Sequence, residues 1–214
     1  MKGKQLKYVN KERDLGVLMT NDMKVSSQCT SASGKANQML GMIKRTFTSR
    51  NPDILLSLYK TIVRPYLEYA TASWSPYYTK DKQLIERVQH RFTRMLRGFS
   101  TLQYEERLNR LKLWTLEERR TRSDLIEVFK MYRNLSAVPL TTFFELDQEG
   151  RTRGHKAKLR MHYSRLDMRK HFFSERVVMR WNGLSVQAIE AESINSFKRE
   201  LERLHRTQMG FFMD

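Results

Sequence analysis

Three arginines recur at helical spacing near the middle of the chain. Arg87, Arg91 and Arg94 stand at i, i+4 and i+7, which places them on one face of a helix. A guanidinium makes forked contacts with phosphate oxygens, so this face could bind a nucleic-acid backbone without reading its bases. The alternative is a solvated helix face. The opposite side of the helix carries the apolar residues Val88, Phe92, Met95 and Leu96.

A second group of basic residues lies between positions 151 and 165, with almost no acid before Asp167. Tyr163 in this group could stack on an unpaired base, and Gly150 and Gly154 would let the backbone approach a phosphate. The alternative is a flexible, solvated loop. The candidate nucleic-acid ligands are Arg151, Arg153, Lys156, Lys158 and Arg160, and the same stretch contains His155, His162 and Arg165.

The overall charge favours a polyanionic partner. The 214 residues include 40 Lys and Arg against 23 Asp and Glu, a formal net charge of +17. Such an imbalance attracts phosphate backbones or acidic lipid headgroups. No apolar run approaches the ~18 residues that a membrane span requires, so the expected partner is nucleic acid and not a membrane. Met1–Leu6 has charge but no apolar core after it, which predicts a nuclear or cytoplasmic protein that is neither secreted nor transmembrane.

Catalytic chemistry is not expected. Nucleotidyl transfer requires clustered carboxylates that hold two divalent metals, and the sequence contains no Asp-Asp pair. Cys29 is the only cysteine, which excludes an internal disulfide and any zinc site built on two thiolates. We therefore predict no catalytic residue, no metal ligand and no cofactor in this chain. The scattered histidines are predicted to be surface or phosphate-facing residues: His90, His155, His162, His171 and His205.

The first elements are predicted to be a hairpin followed by two helices. Strands at Gln5–Val9 and Leu15–Met19 would flank a turn at residues 10–13, with Gly16 either approached closely by another chain or in an ordinary bulge or turn. Apolar residues from Lys24 to Phe47 recur at helical spacing and make Cys29 a small core residue. Asn51 then caps a second helix.

Proline and capping signals delimit the elements that follow. Pro65 should end or kink the second helix at Arg64. Trp74 lies in an aromatic loop and is predicted to be core. Asp81 is expected to cap a third helix that runs to Arg97 and stops at Gly98.

Further helices are predicted beyond Gly98. Ser100 with Gln103 and Thr115 with Glu118 have capping-box spacing. Ser193 is expected to start the last helix. One earlier helix should bury Phe173, Val177, Trp181 and Leu184.

The predicted fold class is mainly α. The expected domains are a short β-hairpin in residues 1–23, a three-helix bundle in 24–98, and a helical region in 99–214 with a basic connector at 134–166.

Several motifs resemble one lineage of polymerases. Tyr59-Lys60-Thr61, Arg64–Tyr69, Trp74-Ser75-Pro76 and Glu86–Gln89 are similar to the region after the catalytic palm of non-LTR (LINE-type, jockey and chicken-repeat-like) retrotransposon reverse transcriptases. The resemblance continues at Tyr104–Leu108, Leu125–Val128, Thr152–His155, Arg165–Asp167, Phe172–Ser174, Trp181–Asn182 and Ser196–Lys198. Relatives usually have a proline where this chain has Ser185, a difference that would loosen a helix stop.

The resemblance implies a role for each part of the chain. Residues 24–98 would be the thumb, and Asp14, Leu15, Gly16 and Val17 would belong to the loop that grips the primer terminus. The catalytic Asp-Asp turn and its Mg²⁺ would belong to a palm upstream.

The expected function is therefore binding without catalysis. The chain would be the C-terminal part of an RNA-directed DNA polymerase and would clamp the template-primer duplex, with RNA, RNA/DNA duplex and the palm domain as partners. Two alternatives stay open. One is a stand-alone, domesticated or decayed retroelement-derived module that binds nucleic acid or protein, and the other is a peripheral membrane binder.

Overall fold

The computed structural model describes residues 8–49, 51–147 and 154–213. These residues form a mainly helical chain with an N-terminal antiparallel hairpin, which confirms the predicted fold class. The elements are β1 (Lys11–Asp14), β2 (Val17–Thr20), α1 (Ser26–Thr46), α2 (Pro52–Leu58), a π-helix (Tyr59–Val63), α3 (Arg64–Glu68), α4 (Thr79–Met95), α5 (Tyr104–Leu111), α6 (Leu116–Tyr132), a 3-10 helix (Leu140–Thr142), α7 (Asp167–Lys170), α8 (Phe173–Arg176), α9 (Val178–Asn182), α10 (Val186–Ile189) and α11 (Ile194–Thr207).

The chain divides into two compact units. Unit 1 contains the described residues up to Ala70 together with Pro76–Arg107, and unit 2 contains Thr71–Ser75 and the described residues from Leu108 onward. The division between them therefore falls inside α5, and residues 71–75 belong with the later part of the chain. The predicted domain limits, by comparison, lie at residues 23 and 98.

The hairpin is displaced from its predicted position. Leu15 and Gly16 form its turn, with β1 and β2 paired from Asp14↔Val17 outward, so the turn predicted at residues 10–13 is wrong. All four side chains of β1 are exposed, and the sequence Lys-Glu-Arg-Asp has no apolar alternation to mark a strand. Part of the predicted first strand, residues 5–7, lies outside the described residues.

Helix α1 packs its predicted apolar face against α4 and α3. Cys29 is fully buried on this face, which confirms that it is a small core residue. The other buried apolar residues of α1 are Ala32, Ala36, Leu40 and Ile43.

The second helical rod continues through Pro65. Asn51 accepts a hydrogen bond from the Asp53 backbone N–H and caps the rod, as predicted. A proline in a regular α-helix clashes with the carbonyl four residues earlier, and here the turn before it widens into the π-helix, where the Arg64 N–H donates to the Tyr59 carbonyl. The rod continues to Glu68, so of the two predicted outcomes the helix does not end at Arg64; instead its geometry changes there, from the π-helix to α3.

The π-helix also fits the spacing of the apolar residues. Leu55, Tyr59, Val63 and Leu67 are spaced by four and are all fully buried. In a regular helix of 3.6 residues per turn, a strict spacing of four drifts around the axis. A π-turn has more residues per turn, so it keeps these side chains on one face.

Helix α4 ends close to its predicted end, but its predicted N-cap residue is wrong. It stops at Met95, and Gly98 follows with a φ of +78°. Asp81 does not cap it, contrary to prediction. The Asp81 side chain is buried, and its carboxylate accepts a hydrogen bond from the Ser26 hydroxyl at 2.5 Å, which ties α4 to the start of α1.

Capping boxes open two long helices of unit 2. Thr115 and Glu118 form the predicted box at the start of α6, and Ser193 forms a second one with Ser196 at the start of α11. The box predicted for Ser100 is wrong, because α5 begins only at Tyr104. Ser185 accepts from the Ala188 N–H and caps α10, so the residue at the expected proline position starts a helix.

The core of unit 2 lies between α6, α9 and α11 and includes the predicted residues Phe173, Val177, Trp181 and Leu184. The predicted single helix at these residues is divided into α8 and α9. Phe129 stacks on Phe197 at 4.2 Å between ring centroids.

Residues 71–75 are held in unit 2 by two arginines. The Arg120 guanidinium lies 4.1 Å from the centroid of the Trp74 ring and donates to the Trp74 carbonyl at 3.1 Å. Trp74 is only 2% exposed, which confirms it as a core residue. Arg176 donates to the Thr71 carbonyl at 3.0 Å and forms a two-pronged ion pair with the buried Asp124 at 2.8 and 3.0 Å.

We expect Thr115→Ala to lower the free energy of unfolding by about 1 kcal/mol, because the substitution removes the side-chain acceptor of the α6 capping box. Thr115→Ser retains the hydroxyl and serves as the matched control, with little expected loss. Urea unfolding followed by circular dichroism measures both. Equal losses for the two variants would contradict a capping role.

Candidate nucleic-acid interface

The predicted arginine row is exposed on α4. Arg87, Arg91 and Arg94, hereafter the α4 arginine face, point to solvent, whereas Val88 and Phe92 on the other side are at most 1% exposed. Arg91 donates to the Asn37 side-chain oxygen at 3.0 Å. Within the described ranges none of the three arginines forms an ion pair with a carboxylate. Their charges are therefore available to an external anion.

A buried polar network fixes the rotation of α4. The Gln89 side chain is fully buried; its oxygen accepts from the Tyr59 hydroxyl at 2.9 Å, and its nitrogen donates to the Tyr104 hydroxyl at 3.1 Å. Tyr104 in turn donates to Glu86, and burial together with the Glu86 charge raises the pKa of the Tyr104 phenol. Tyr59 also stacks on Phe92 at 4.1 Å. Together these contacts fix the rotation of α4 about its axis, with the three arginines facing solvent.

Arg107 supports the C-terminal part of α4, a role that its place in the Tyr104–Leu108 motif of the resemblance does not indicate. It is 3% exposed and donates to the His90 carbonyl at 3.2 Å and to the Thr93 hydroxyl at 3.0 Å. Its position on α5, on the same face as buried Leu108 and Leu111, is consistent with burial but does not reveal its partners.

His90 and His205 are half-buried and have partners inside the protein, so neither is the free surface or phosphate-facing residue of the prediction. His90 stacks on Tyr104 at 3.4 Å between ring centroids, and burial with the nearby Arg107 and Arg94 lowers the pKa of its imidazole. His205 stacks on Trp114 at 3.9 Å, and its Nε2 lies 3.0 Å from a Glu118 carboxylate oxygen.

The second predicted basic group includes an extended segment in unit 2. Along residues 154–160, hereafter the basic segment, side chains alternate between the core and solvent. His155, Ala157 and Leu159 are buried, whereas Lys156 and Arg160 are exposed and Lys158 is half-buried. The outward side chains are therefore the predicted ligands. Arg151 and Arg153 lie outside the described residues.

Trp181 and Asn182 hold one edge of the basic segment. The Trp181 indole N–H donates to the Ala157 carbonyl at 2.7 Å. The Asn182 side chain accepts from the Leu159 N–H and donates to the Leu159 carbonyl, both at 2.8 Å, as a neighbouring strand would. The sequence indicates Trp181 as a core residue and Asn182 only as part of a motif of the resemblance. It indicates the hydrogen-bond partners of neither, because these partners are more than 20 positions away.

Residues 145–147 hold the other edge. The Asp147 N–H donates to the Lys158 carbonyl and the Arg160 N–H donates to the Glu145 carbonyl, both at 2.8 Å. Residues 157–160 are thus hydrogen-bonded along both edges, so the alternative of a merely solvated loop does not describe them. Arg160 also pairs with Glu145 at 3.2 Å, but both side chains are more than 60% exposed, and such surface pairs contribute little.

His155 is a third structural histidine and not a phosphate ligand. It is 5% exposed, and its Nε2–H donates to the Trp181 carbonyl at 3.1 Å. Its Nδ1 is buried with no hydrogen-bond partner, so protonation there would create an unpaired N–H. Burial accordingly lowers the pKa of the His155 imidazole.

The predicted primer-grip residues form the tip of the hairpin. Asp14, Leu15 and Gly16 are exposed, and Val17 is buried. The Tyr69 hydroxyl donates to the Leu15 carbonyl at 2.9 Å, and a Cβ on Gly16 would lie 3.3 Å from the Tyr69 ring. Gly16 has a φ of +86°, so both a tight turn and a close approach favour glycine here.

Across residues 8–49, 51–147 and 154–213, no group of three or more His, Cys, Asp or Glu side chains is placed to hold a metal ion. In the same ranges, no helix has the length and apolar character needed to cross a bilayer.

Comparison of the chain with protein-family models, with curated proteins and with solved structures found no match. The relation to non-LTR reverse transcriptases thus stays a prediction from the sequence motifs.

We expect Asn182→Ala to lower the free energy of unfolding by about 2 kcal/mol, because it leaves the Leu159 N–H and carbonyl without their partner. Hydrogen exchange at the Leu159 amide should quicken as well. Asn109→Ala, an exposed asparagine of the same unit, is the control and should cost less than about 0.5 kcal/mol. Unchanged exchange at Leu159 in Asn182→Ala would contradict the anchoring.

The lowered pKa of His155 predicts a loss of stability in acid. As pH falls, the unfolded chain protonates His155 near pH 6.5, whereas the folded chain does so only at a lower pH. The contribution of neutral His155 to the free energy of unfolding is therefore complete above about pH 6.5 and is lost as pH falls through the folded pKa. His155→Gln retains a donor for the Trp181 carbonyl but cannot titrate. The unfolding free energy of the unchanged chain should fall relative to that of the variant as pH falls below about 6.5. Parallel pH curves would contradict this assignment.

Proposed function

We propose that unit 1 binds the phosphate backbone of an RNA/DNA duplex through the α4 arginine face. The observation that carries the proposal is a row of three exposed guanidiniums, without a carboxylate partner among the described residues, on a helix locked by its buried side. An exposed cationic row on a fixed support gives phosphate contacts with little loss of backbone freedom on binding.

The dimensions of the row suit a nucleic-acid strand. With a rise of about 1.5 Å per residue, Arg87 and Arg94 lie roughly 10 Å apart along the helix axis. The phosphates of one duplex strand advance by about 3.4 Å each along the duplex axis, so the row can contact two or three of them. Contacts of this kind position a duplex but carry no base-sequence information.

The proposed biological role is that of a polymerase clamp. The motifs that resemble non-LTR reverse transcriptases support a position after the palm, where a thumb must hold template and primer whatever their sequence. In that role RNA and RNA/DNA duplex are the ligands, and the catalytic carboxylates with their Mg²⁺ come from the palm. The residues of this chain contribute binding and orientation only.

A stand-alone nucleic-acid-binding module is the second candidate. It is favoured by the anchoring of the hairpin inside unit 1, where the Leu18 N–H donates to the Gln28 side chain at 2.9 Å and Tyr69 holds the hairpin tip. An in-frame palm with an Asp-Asp turn in the genomic sequence upstream of Met1 would favour the polymerase, and unrelated sequence there would favour the module.

We expect simultaneous substitution of Arg87, Arg91 and Arg94 by Ala to weaken binding to an RNA/DNA duplex of mixed sequence. The slope of log K against log salt should fall in magnitude by roughly 2 to 3, because each phosphate contact contributes about 0.9. Fluorescence anisotropy of a labelled duplex at several salt concentrations measures the slope.

Helix α11 offers a control with the same spacing and the same loss of charge. Arg199, Arg203 and Arg206 are exposed at i, i+4 and i+7, but Arg203 lies 2.7 Å from Glu200 and Arg206 lies 3.6 Å from Glu202. Their joint substitution by Ala should change the slope by less than about 1. If both triple variants alter the slope equally, only net charge matters and the α4 arginine face is not the site.

A further inference from the structure

The loop that follows the basic segment presents an aromatic ring beside cationic groups. Tyr163 is 91% exposed. Such exposure is unusual for a large ring, because contact between its apolar surface and water is unfavourable. It borders a cavity of about 470 Å³ whose lining includes His162, Arg165 and Arg169. One carboxylate also lines the cavity, that of Glu175, which pairs with Arg169 at 3.5 Å. The lining is therefore net positive.

The basic segment leads directly to this ring. Its outward side chains, on Lys156, Lys158 and Arg160, occur at every second residue and are about 6.6 Å apart in an extended backbone. This repeat is comparable to the separation of successive phosphates in an extended nucleic-acid strand. Tyr163 follows Arg160 by three residues, a reach of about 10 Å, which is within one or two nucleotides of the last cation.

We infer that unit 2 carries a separate site for single-stranded nucleic acid, in which the phosphates follow Lys156, Lys158 and Arg160 and an unpaired base stacks on Tyr163. A base inside a duplex has no free face to offer the ring, so the stacking contact selects a single strand. The inference goes beyond the proposed function, because none of its residues belongs to the α4 arginine face.

A single strand fits these side chains better than a lipid surface does. Residues 157–160 of the basic segment are hydrogen-bonded along both edges, and the buried Ala157 and Leu159 belong to the core of unit 2. The apolar side chains of the segment itself are therefore not exposed to a bilayer. Asn182 and Trp181 fix the direction of the segment, so its cations form a linear row, and a linear row matches a strand rather than a plane of headgroups.

The test compares Tyr163→Leu with Tyr163→Phe in the full chain. Leucine keeps an apolar side chain but removes the aromatic face, whereas phenylalanine keeps the face and removes the hydroxyl. Tyr163→Leu should weaken binding to a mixed-sequence single-stranded oligonucleotide by at least about five-fold, and Tyr163→Phe should leave it within about two-fold. Tyr163 lies outside the core, and circular dichroism of each variant verifies that the fold is intact.

An abasic oligonucleotide separates stacking from charge. It has the same phosphates but no bases, so the unchanged chain should bind it as weakly as Tyr163→Leu binds the normal strand, and Tyr163→Leu should show no further loss. Joint substitution of Lys156, Lys158 and Arg160 by Ala should reduce the salt slope on a single strand by about 2, at about 0.7 per contact. The α11 triple variant is again the control of equal charge.

The outcomes distinguish this site from the α4 arginine face. The α4 triple variant should leave the five-fold ratio between the unchanged chain and Tyr163→Leu intact on the single strand, and Tyr163→Leu should leave duplex binding intact. The inference is overturned if Tyr163→Leu binds the single strand as tightly as the unchanged chain, if it loses duplex binding equally, or if anionic vesicles compete better than single strands.

Discussion

Hydrogen bonds from arginine guanidiniums to main-chain carbonyls are the interaction on which both units depend. Arg107 holds the end of α4 in unit 1 through the His90 carbonyl, and Arg120 and Arg176 hold residues 71–75 in unit 2. Arg133 donates to the Ile189 and Ala191 carbonyls, and Arg180 donates to the Phe211 carbonyl. A guanidinium offers five donors in a planar fork and stays charged, so one side chain can satisfy several buried acceptors at once.

This use of arginine separates the basic residues of the chain into two populations. The first is buried or half-buried and donates to carbonyls, aromatic faces or Asp124. The second is exposed on surfaces whose opposite side is core, as at the α4 arginine face and at Lys156. Because the first population already has partners inside the protein, a polyanion can approach only exposed groups. A net charge of +17 therefore says less about binding than the positions of these few exposed groups.

The two exposed basic surfaces differ in backbone conformation. The α4 arginine face is a helical row fixed by the Gln89 network, and the basic segment is an extended row fixed by Asn182 and Trp181. A helical row spaces its cations by three and four residues, whereas an extended row spaces them by two, so the two surfaces present different repeats to a ligand. The single strand is assigned to the basic segment because a base must be unpaired to stack on the neighbouring Tyr163 ring.

Periodicity and capping act within a few residues, so local signals were enough to predict the helical class, the burial of Cys29 and Trp74, the caps at Asn51, Thr115 and Ser193, and the outward arginines of α4. Other features depend on contacts between residues that are distant in the sequence. The Asp81 carboxylate accepts a hydrogen bond from Ser26 and does not cap α4. A π-turn accommodates Pro65, and the His155 side chain is buried against the Trp181 carbonyl. Asn182 is the partner of Leu159 because buried polar groups must form hydrogen bonds with the donors and acceptors that packing brings near them. Sequence spacing does not indicate such contacts between distant residues.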